Sequence, residues 1–198
     1  LEQYFLGRLT RILEANGKRP AVWNEAIEGG ELARSTRVHG WESVKACLDA
    51  TAAGYRTVVM PGQYFYFDMR QSPHEDGHDW AAIFDVRKTY SFDFARCGFT
   101  PAQEANVLGV EGAFFSELYV SHNPETPDYL DYMTFPRACA LAELGWSEGV
   151  REWTEFYRRL RSHYDRMGAQ GIRFRLMPPR VSYKGGVLTA AVDDDSQL

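Results

Sequence analysis

Short apolar runs alternate with helical patterns along most of this 198-residue chain, and that alternation limits the folds available to it. Runs of four to eight apolar and β-branched residues between turn residues are typical of buried strands. Four such runs occur, in the segments PAVWNEA, TRVHGW, RTVVMP and ANVLGVEGAFFSE. Because parallel strands need helical crossovers between them, the pattern predicts an α/β fold with a parallel sheet.

Helical periodicity fills the stretches around these runs. Glu2 to Asn16 repeats apolar residues at helical spacing, and Asn16-Gly17 supplies a stop. SVKACLDATAAG predicts a helix, and DWAAIFDVRKTYSF predicts a loop followed by a helix. Two long helices are predicted near the end, from about Tyr129 to Ala142 and from about Val150 to Gly168.

Aromatic and acidic residues follow each predicted strand. In parallel sheets the functional residues lie just beyond the carboxyl ends of the strands. Here these positions hold Trp23 and Glu25, Trp41 and Glu42, Tyr66 and Asp68, and Glu117. Aromatic faces stack on sugar rings and carboxylates accept hydrogen bonds from several hydroxyls, so the mixture favours a carbohydrate ligand.

The segment QYFYFDMRQS allows two interpretations, hydrophobic core or the wall of a binding site. In an extended chain Phe65 and Phe67 would share one side. Tyr64, Tyr66 and Asp68 would share the other side. A buried carboxylate without a partner is costly, which favours a site, but buried tyrosines usually find partners inside the protein. From the pattern alone both interpretations stay open.

The number of strand-helix units suggests an incomplete domain. About four units make half of an eight-unit barrel, which typically needs about 250 residues, and the chain begins within a helical pattern without a methionine. We therefore expect a fragment, a partial (β/α)8 TIM barrel with about the last four strand-helix units, over residues 1–179. Residues 180–198, where VSYKGGVLTAAV predicts a hairpin, form a short C-terminal tail or the start of a following β domain.

Composition excludes several classes of protein. With 44% hydrophobic and 25% charged residues, the chain resembles an ordinary globular protein. No apolar run approaches the roughly 20 residues needed to cross a bilayer, so no membrane span is predicted. The net charge is −5, and basic residues cluster only in the alternating-sign run REWTEFYRRLRSHYDR, which argues against a nucleic-acid partner.

The cysteines and histidines form no metal-binding pattern. Cys47, Cys97 and Cys139 are odd in number and widely spaced, so we expect free, partly buried thiols. The five histidines show no HxH or HExxH pairing, and we predict no metal site and no cofactor. His39 and His78 are interpreted as structural.

Seven segments carry a family signal through their order and spacing: VWNEA, VHGW, VMPGQYFYFDMRQ, GHDWAA, VLGVEGAFFSEL, FPRACALAELGW and REWTEFYRRL. Together they resemble the C-terminal half of the catalytic barrel of glycoside hydrolase family 20, the β-N-acetylhexosaminidases. The resemblance extends from about Leu1 to Pro179. Each segment is weak alone, and the combination is specific.

The resemblance implies a retaining exo-acting glycosidase that removes terminal N-acetylglucosamine or N-acetylgalactosamine. In this family the substrate's own acetamido group is the nucleophile, which departs from the usual two-carboxylate scheme. An Asp-Glu pair after the fourth strand transfers the proton and orients the acetamido nitrogen. This sequence contains no Asp-Glu dipeptide and no HxGGDE motif. The resemblance thus implies that the pair lies in a missing N-terminal half, and that the fragment alone is inactive.

Three polar residues of the family site match this chain. Tyr66 matches the catalytic tyrosine that donates a hydrogen bond to the acetamido carbonyl oxygen, where charge develops in the intermediate. Asp68 matches the carboxylate that binds the sugar hydroxyls O4 and O6. Glu117 matches a second such carboxylate.

Aromatic residues match the remaining substrate-binding positions. Trp23 and Trp41 match the indoles that enclose the acetamido methyl group, and Trp80 matches the tryptophan near the aglycone. The chain departs from the family at Phe115-Ser116-Glu117, where Trp-Ser-Glu or Trp-Thr-Glu is usual. A phenyl ring is smaller and lacks the indole N–H, so this departure affects the floor of the sugar pocket and the substrate range.

Other interpretations stay open. Asp68 and Glu117 could be the acid and nucleophile of a two-carboxylate glycosidase. The chain could also be a non-catalytic glycan-binding or structural domain, complete as it stands. Glu25 and Glu42 could bind substrate or only hold their loops.

Three residues of the last helices are given structural roles. Arg137 is expected to form an internal ion pair, and Trp146 and Trp153 are expected to pack in the barrel wall.

The predicted partners are an N-acetylhexosamine-containing glycan or chitooligosaccharide and the missing N-terminal half of the same protein. A half barrel exposes two sheet edges and apolar faces, so the fragment alone should self-associate or dissolve poorly. The sequence does not indicate the compartment, and family analogy suggests an extracytoplasmic location, periplasmic or secreted.

Overall fold

A computed structural model of the chain describes residues 1–30, 32–121 and 128–191. Within these ranges four parallel strands form one sheet in sequential order. The strands are β1 Ala21–Trp23, β2 Arg37–Gly40, β3 Arg56–Val59 and β4 Val107–Val110. Each lies in an apolar run that the sequence pattern marks as a strand. The predicted α/β class with a parallel sheet is therefore confirmed.

Helices connect these strands and cover one face of the sheet. Ser43 begins the helix after β2, because its side chain accepts a hydrogen bond from the Ala46 N–H. The helices of the described ranges are α1 Glu2–Ala15, α2 Val44–Ala52, α3 Gly62–Phe65, α4 Val86–Tyr90, α5 Pro101–Glu104, α6 Glu117–Ser121, α7 Tyr129–Thr134, α8 Arg137–Trp146 and α9 Trp153–Ala169, with a 3-10 turn at Asn24–Ile27. No helix within the described residues is long and apolar enough to span a bilayer.

One predicted long helix is in fact two helices. α7 ends at Thr134 and α8 begins at Arg137, with Phe135 and Pro136 between them. Proline has no N–H to donate within a helix, and its ring clashes with the preceding turn. The continuous helix from about Tyr129 to Ala142 was therefore a wrong prediction, whereas α9 agrees with the second long helix.

The core lies between the sheet and its helices. Because side chains alternate along a strand, Val38 and Val59 point into the helix-covered side and are fully buried. Trp23 and His39 lie in register on the opposite face, with ring centroids 5.8 Å apart. Trp153 is buried against α4 as expected, but Trp146 is 90% exposed, so the packing predicted for Trp146 is wrong in this chain.

A hairpin follows the last helix, as the sequence predicts. Strands β5 Arg180–Lys184 and β6 Val187–Ala191 pair antiparallel. Gly185 and Gly186 join them with φ of 59° and 82°, the left-handed values that a tight two-residue turn requires. Residues 192–198 of the predicted tail lie outside the described ranges. The domain boundary at residue 179 stays a prediction.

The cysteines are free thiols, in agreement with the sequence. Burial raises the pKa of Cys47 to about 12 and that of Cys139 to about 11. These thiols therefore stay protonated and unreactive at physiological pH.

Candidate functional site

The carboxyl ends of the strands open into a cavity of about 440 Å³. All the residues predicted for the site line this cavity, and two others join them: Trp23, Glu25, Trp41, Tyr66, Asp68, His78, Trp80, Phe115 and Glu117. The structure thus brings together side chains that are up to 94 positions apart, from Trp23 to Glu117. A larger cavity of about 640 Å³ lies between α8 and α9 and contains none of these residues.

Tyr66 is held in place by a short backbone pairing beyond the ends of β3 and β4. The Phe67 N–H donates to the Ala113 carbonyl over 2.6 Å, and the Ala113 N–H donates to the Phe65 carbonyl over 3.0 Å. The Tyr66 ring stacks on Trp41 with centroids 6.1 Å apart and lies 5.3 Å from Phe115. Tyr66 is buried, and its orientation is fixed by packing against Trp41, Phe115 and Trp80.

The alternation predicted for QYFYFDMRQS holds only in part, because α3 continues to Phe65. The helical turn directs Tyr64 away from Tyr66. The Tyr64 ring packs 5.2 Å from Phe92, and its hydroxyl accepts a hydrogen bond from Lys88 Nζ over 3.1 Å. Tyr66 and Asp68 share the cavity as predicted, whereas Tyr64, which only an extended chain would place on their side and to which the sequence assigned no role, packs elsewhere.

Burial raises the pKa of the Tyr66 hydroxyl, and the negative charges of Asp68, Glu25 and Glu111 add to that effect. A tyrosine with a raised pKa stays protonated throughout the physiological range. The Tyr66 hydroxyl is therefore a hydrogen-bond donor at any pH at which the protein would work.

Asp68 is a buried carboxylate, with 2% of its surface exposed. Burial raises the pKa of this carboxyl, although its own N–H, the Phe115 N–H and the Arg137 charge oppose the shift. Within the described ranges its Oδ1 is buried without a hydrogen-bond partner. An unsatisfied buried acceptor costs about 1–3 kcal/mol, so a ligand hydroxyl that donates to Oδ1 would recover stabilisation.

Two acidic residues near β1 and β2 have different roles. Glu25 Oε2 accepts a hydrogen bond from the Trp41 indole Nε1 over 2.9 Å and so fixes the angle of that ring at the cavity wall. Glu42 instead accepts from Asn24 Nδ2 over 3.1 Å, while Asn24 Oδ1 accepts from the backbone N–H of Trp41. Glu42 therefore holds its loop, one of the two roles that the sequence left open.

The remaining aromatic walls are more accessible. Trp80 is 56% exposed and meets Trp41 edge to face at 5.9 Å, while Trp23 is 48% exposed. Phe115 is 40% exposed and lies at the start of the segment that leads to Glu117, the first residue of α6. Three exposed aromatic surfaces around one cavity suit a ring-shaped ligand with an apolar face.

Two residues at or near the cavity had no functional role in the sequence interpretation, which took His78 as structural and did not single out Glu111. His78 lines the cavity, and its backbone N–H donates to the Asp68 carbonyl over 2.8 Å. Glu111 lies 3.3 Å from His39 Nδ1, between the ends of β2 and β4. His78 precedes Trp80 by two residues in GHDWAA, which was a usable signal, whereas the pairing of Glu111 depends on tertiary contact alone.

Among the residues that the structure describes, Arg137 does not form the predicted ion pair. Its hydrogen-bond acceptors within the described ranges are the backbone carbonyls of Met133, Met69, Phe84 and Phe67. The guanidinium is fully buried, so the expectation of an internal partner was right about burial and wrong about the partner's charge.

A family model for "Glycosyl hydrolase family 20, catalytic domain" matches residues 1–149. The chain belongs to glycosyl hydrolase family 20. A β-hexosaminidase of Vibrio furnissii is 30% identical over 148 residues, covering 73% of this chain and 23% of that protein. A β-hexosaminidase of Akkermansia muciniphila is 29% identical over 163 residues, covering 80% of this chain and 32% of that protein.

Solved structures of similar proteins share the fold. A GH20 exo-β-N-acetylglucosaminidase of Vibrio harveyi, in complex with N-acetylglucosamine, superposes with a TM-score of 0.77 at 32% identity, covering 88% of this chain and 27% of that one. An N-acetyl-β-hexosaminidase of Streptomyces plicatus superposes with a TM-score of 0.76 at 28% identity, covering 89% of this chain and 36% of that one. The chain therefore spans about a quarter to a third of the length of these relatives.

Position 77, next to His78, requires glycine. It has φ of +140°, and a Cβ at this position would lie 2.6 Å from the Arg70 nitrogen. We expect Gly77→Ala to lower the free energy of unfolding by about 2 kcal/mol or more, since backbone strain and a clash with backbone combine. Chemical denaturation measures the change.

Gly54→Ala is the matched control for this prediction. Gly54 has φ of +82°, but a Cβ there would meet nothing within 4 Å, so only backbone strain remains. Equal losses in the two variants would mean that the close approach of Arg70 to Gly77 contributes nothing.

Proposed function

We propose that the cavity is part of the active site of a retaining exo-β-N-acetylhexosaminidase, which hydrolyses terminal N-acetylglucosamine or N-acetylgalactosamine by substrate-assisted catalysis. The observation that carries this proposal is the pairing of a protonated Tyr66 hydroxyl with the partly unsatisfied carboxylate of Asp68 in one aromatic cavity. One group donates, the other accepts, and the walls bind an apolar ring face. An N-acetylhexosamine offers all three complementary features.

Tyr66 is assigned to the acetamido group. When the acetamido oxygen attacks the anomeric carbon, the C–O bond to the leaving group breaks and the acetamido group gains positive charge as it closes to an oxazolinium ring. The hydroxyl of a ring packed against Trp41 and Phe115 holds that oxygen in line for attack, without reorganisation at the moment of reaction. Water then opens the ring from the face that the leaving group occupied, so the configuration is retained.

Asp68 and Glu117 are assigned to the sugar hydroxyls. The unsatisfied Oδ1 of Asp68 can accept from a hydroxyl, and the Glu117 carboxylate is exposed on the cavity rim. Charge-assisted hydrogen bonds of this kind are stronger than neutral ones and reject sugars that lack the hydroxyl. These contacts would fix the ring position along the cavity.

The aromatic side chains are assigned to the acetamido methyl group and the ring faces. Trp41, oriented by Glu25, and Trp23 would enclose the methyl group, and Trp80 would stack on the aglycone side. Exclusion of water around the acetamido group strengthens its hydrogen bond to Tyr66. Phe115 occupies the floor with less area than an indole, which leaves more room beside the sugar ring.

The proton donor is assigned to a part of the enzyme outside this chain. The sequence has no Asp-Glu dipeptide. Within the described ranges β1 and β4 are the edges of a four-stranded parallel sheet, half the strand number of a (β/α)8 barrel. α1 also exposes Tyr4, Phe5 and Ile12 by 54–65%. Both features support a partial barrel that the rest of the catalytic domain completes.

The decisive experiment compares the full-length protein with this chain alone on an aryl N-acetyl-β-glucosaminide. We expect hydrolysis by the full-length protein and a rate lower by at least about 10³-fold for the isolated chain, because general acid catalysis is lost and the pocket is incomplete. Size-exclusion chromatography should show self-association of the isolated chain.

Each other outcome points to a different function. Full activity of the isolated chain would return the proton transfer to Asp68 and Glu117, as in a two-carboxylate glycosidase. Absence of hydrolysis by the full-length protein, with retained binding of N-acetylglucosamine, would favour a glycan-binding domain. The anomer released first, measured by NMR, tests retention separately.

A further inference from the structure

The segment from Tyr66 to Phe84, here called the site loop, is part of the long connection between β3 and α4. It supplies four residues to the cavity. It carries Tyr66, Asp68, His78 and Trp80. A loop of this length needs anchors, since irregular backbone loses conformational entropy when it is ordered. In the middle of the site loop the Arg70 N–H donates a hydrogen bond to the His78 carbonyl. At the start of the loop the backbone pairs with Ala113, as described above.

Arg137, on α8 and outside the cavity lining, is a further anchor at the position of Asp68. Its Nη2 donates to the Phe67 carbonyl over 2.7 Å, and its Nη1 donates to the Met69 carbonyl over 2.8 Å. Asp68 lies between these two acceptors in sequence. One planar guanidinium therefore fixes the peptide group that precedes Asp68 and the peptide group that follows Met69.

The same side chain closes the far end of the site loop. Nη1 also donates to the Phe84 carbonyl over 3.3 Å, and Nε donates to the Met133 carbonyl at the end of α7. The guanidinium lies over the rings of Phe67 and Phe84, 5.4 and 4.9 Å from their centroids. It thus joins both ends of the loop to α7 and α8.

A buried cation of this kind is costly to retain for packing alone. Arg137 is fully buried, and burial lowers its pKa to about 9. Its hydrogen bonds go to carbonyls, so no carboxylate neutralises it by direct contact within the described ranges. Asp68 is the carboxylate whose charge acts on it most.

We propose that Arg137 is the positioning residue for Asp68: by holding the carbonyls of Phe67 and Met69, it directs the Asp68 carboxylate at the sugar hydroxyls. The proposal rests on the proposed function for the role of those hydroxyls. Arg137 itself touches no substrate. Its fixed fork matters because lysine carries the same charge but cannot place donors on both carbonyls in one plane.

A second arginine provides a matched control. Arg175 is 4% exposed and holds the same site loop through Glu75, with Nε 2.9 Å and Nη2 2.7 Å from the carboxylate. Tyr132 also donates to Glu75 over 3.1 Å. Arg175 anchors the loop at residue 75, away from Asp68. Arg175→Lys therefore loosens the loop without releasing the carbonyls of Phe67 and Met69.

The test uses the full-length protein and two substrates, an aryl N-acetyl-β-glucosaminide and its 4-deoxy counterpart, which lacks a hydroxyl assigned to Asp68. Arg137→Lys should lower kcat/KM for the parent substrate by about tenfold or more, because a charge-assisted hydrogen bond is weakened. It should change kcat/KM for the 4-deoxy substrate by less than about threefold. Arg175→Lys should leave the ratio of the two substrates as in the unmodified protein.

Equal losses on both substrates with Arg137→Lys would overturn the proposal, since a general structural role does not distinguish the hydroxyl. If Arg137→Lys does not fold, Phe84→Leu serves as a second variant, because it removes the aromatic ring that packs on the guanidinium. It should lower kcat/KM for the parent substrate selectively as well, but by a smaller factor. Equal losses in that variant would overturn the proposal too.

Hydrogen exchange gives a readout that does not depend on hydrolysis. In Arg137→Lys the amides of Phe67 and Met69 should exchange about tenfold or more faster, while amides of α2 and β3 stay unchanged. Unchanged exchange at Phe67 and Met69 would contradict the positioning role. If the unmodified full-length protein hydrolyses no N-acetylhexosaminide, the proposed function fails, and the exchange result still decides whether Arg137 holds Asp68.

Discussion

Tyr66→Phe is expected to lower kcat of the full-length protein by about 10²-fold, because the acetamido oxygen is no longer held in line with the anomeric carbon. KM should change little, because the contacts assigned to the sugar hydroxyls and the ring faces, which supply most of the ground-state binding, are kept in the variant. Steady-state kinetics on an aryl N-acetyl-β-glucosaminide separate the two parameters. The ring remains stacked on Trp41 in the variant, so the cavity wall is preserved.

Tyr64→Phe is the control for this prediction. Tyr64 is two residues away, but its hydroxyl bonds to Lys88 and its ring packs in the core beside Phe92. Its loss should leave kcat within about twofold, since an exposed hydrogen bond contributes little. An unchanged rate in Tyr66→Phe would remove Tyr66 from the chemistry, and a similar loss in both variants would indicate a general effect on the loop.

The different positions of these two tyrosines show where sequence reasoning reached its limit. Strict alternation would place Tyr64 and Tyr66 on the same side. The structure is helical up to Phe65 and extended at Tyr66, so the alternation begins only there. A four-residue helix has too few positions for its 3.6 period to be distinguished from a strand in sequence.

The strand ends were predictable for a physical reason. Parallel strands with helical crossovers all run in one direction, so residues that follow them meet at one edge of the sheet. Trp23, Trp41 and Glu117 therefore line one cavity although the sequence separates them widely. The rule depends on direction and order alone, which the apolar runs reveal.

Arg137 and Trp146 could not be placed in the same way. Arg137 satisfies its donors with carbonyls up to 70 positions away, and no side-chain pattern encodes carbonyl acceptors. Trp146 is hydrophobic and lies on a helix, yet it is exposed in this chain. Its burial depends on what faces the end of α8, and sequence patterns within the chain carry no information on that surface.

Asp68→Asn should separate stability from function. We expect kcat/KM to fall by about 10²-fold, because hydrogen bonds from sugar hydroxyls to a charged acceptor are replaced by weaker ones to an amide. The free energy of unfolding at neutral pH should stay unchanged or rise. Asp68 is buried with Oδ1 unsatisfied in the described ranges, so its charge is a cost that the ligand-free protein bears.

The pH dependence of the free energy of unfolding shows whether the Asp68 carboxylate stabilises or destabilises the folded protein. Burial raises the pKa of Asp68 in the folded state, so the folded protein holds this proton to a higher pH than the unfolded chain does. Stability from this group is therefore present at acid pH and is lost as the pH rises from the unfolded pKa through the folded pKa. The amide introduced by Asp68→Asn does not titrate, so the advantage of the variant should grow from acid to neutral pH.

Glu75→Gln is the control of opposite sign. Burial raises the pKa of Glu75, but the hydrogen bonds from Arg175, Ser72 and Tyr132 together with the Arg175 charge outweigh that effect, and the net shift is downward. Its contribution to stability is therefore present above the unfolded pKa and is lost as the pH falls through the folded pKa. The gap between Glu75→Gln and the unmodified protein should be largest at neutral pH and shrink in acid. Chemical denaturation from acid to neutral pH measures the free energy of unfolding of both variants and of the unmodified protein. If Asp68→Asn loses as much free energy of unfolding at neutral pH as Glu75→Gln does, Asp68 is a stabilising structural carboxylate and is not reserved for a ligand.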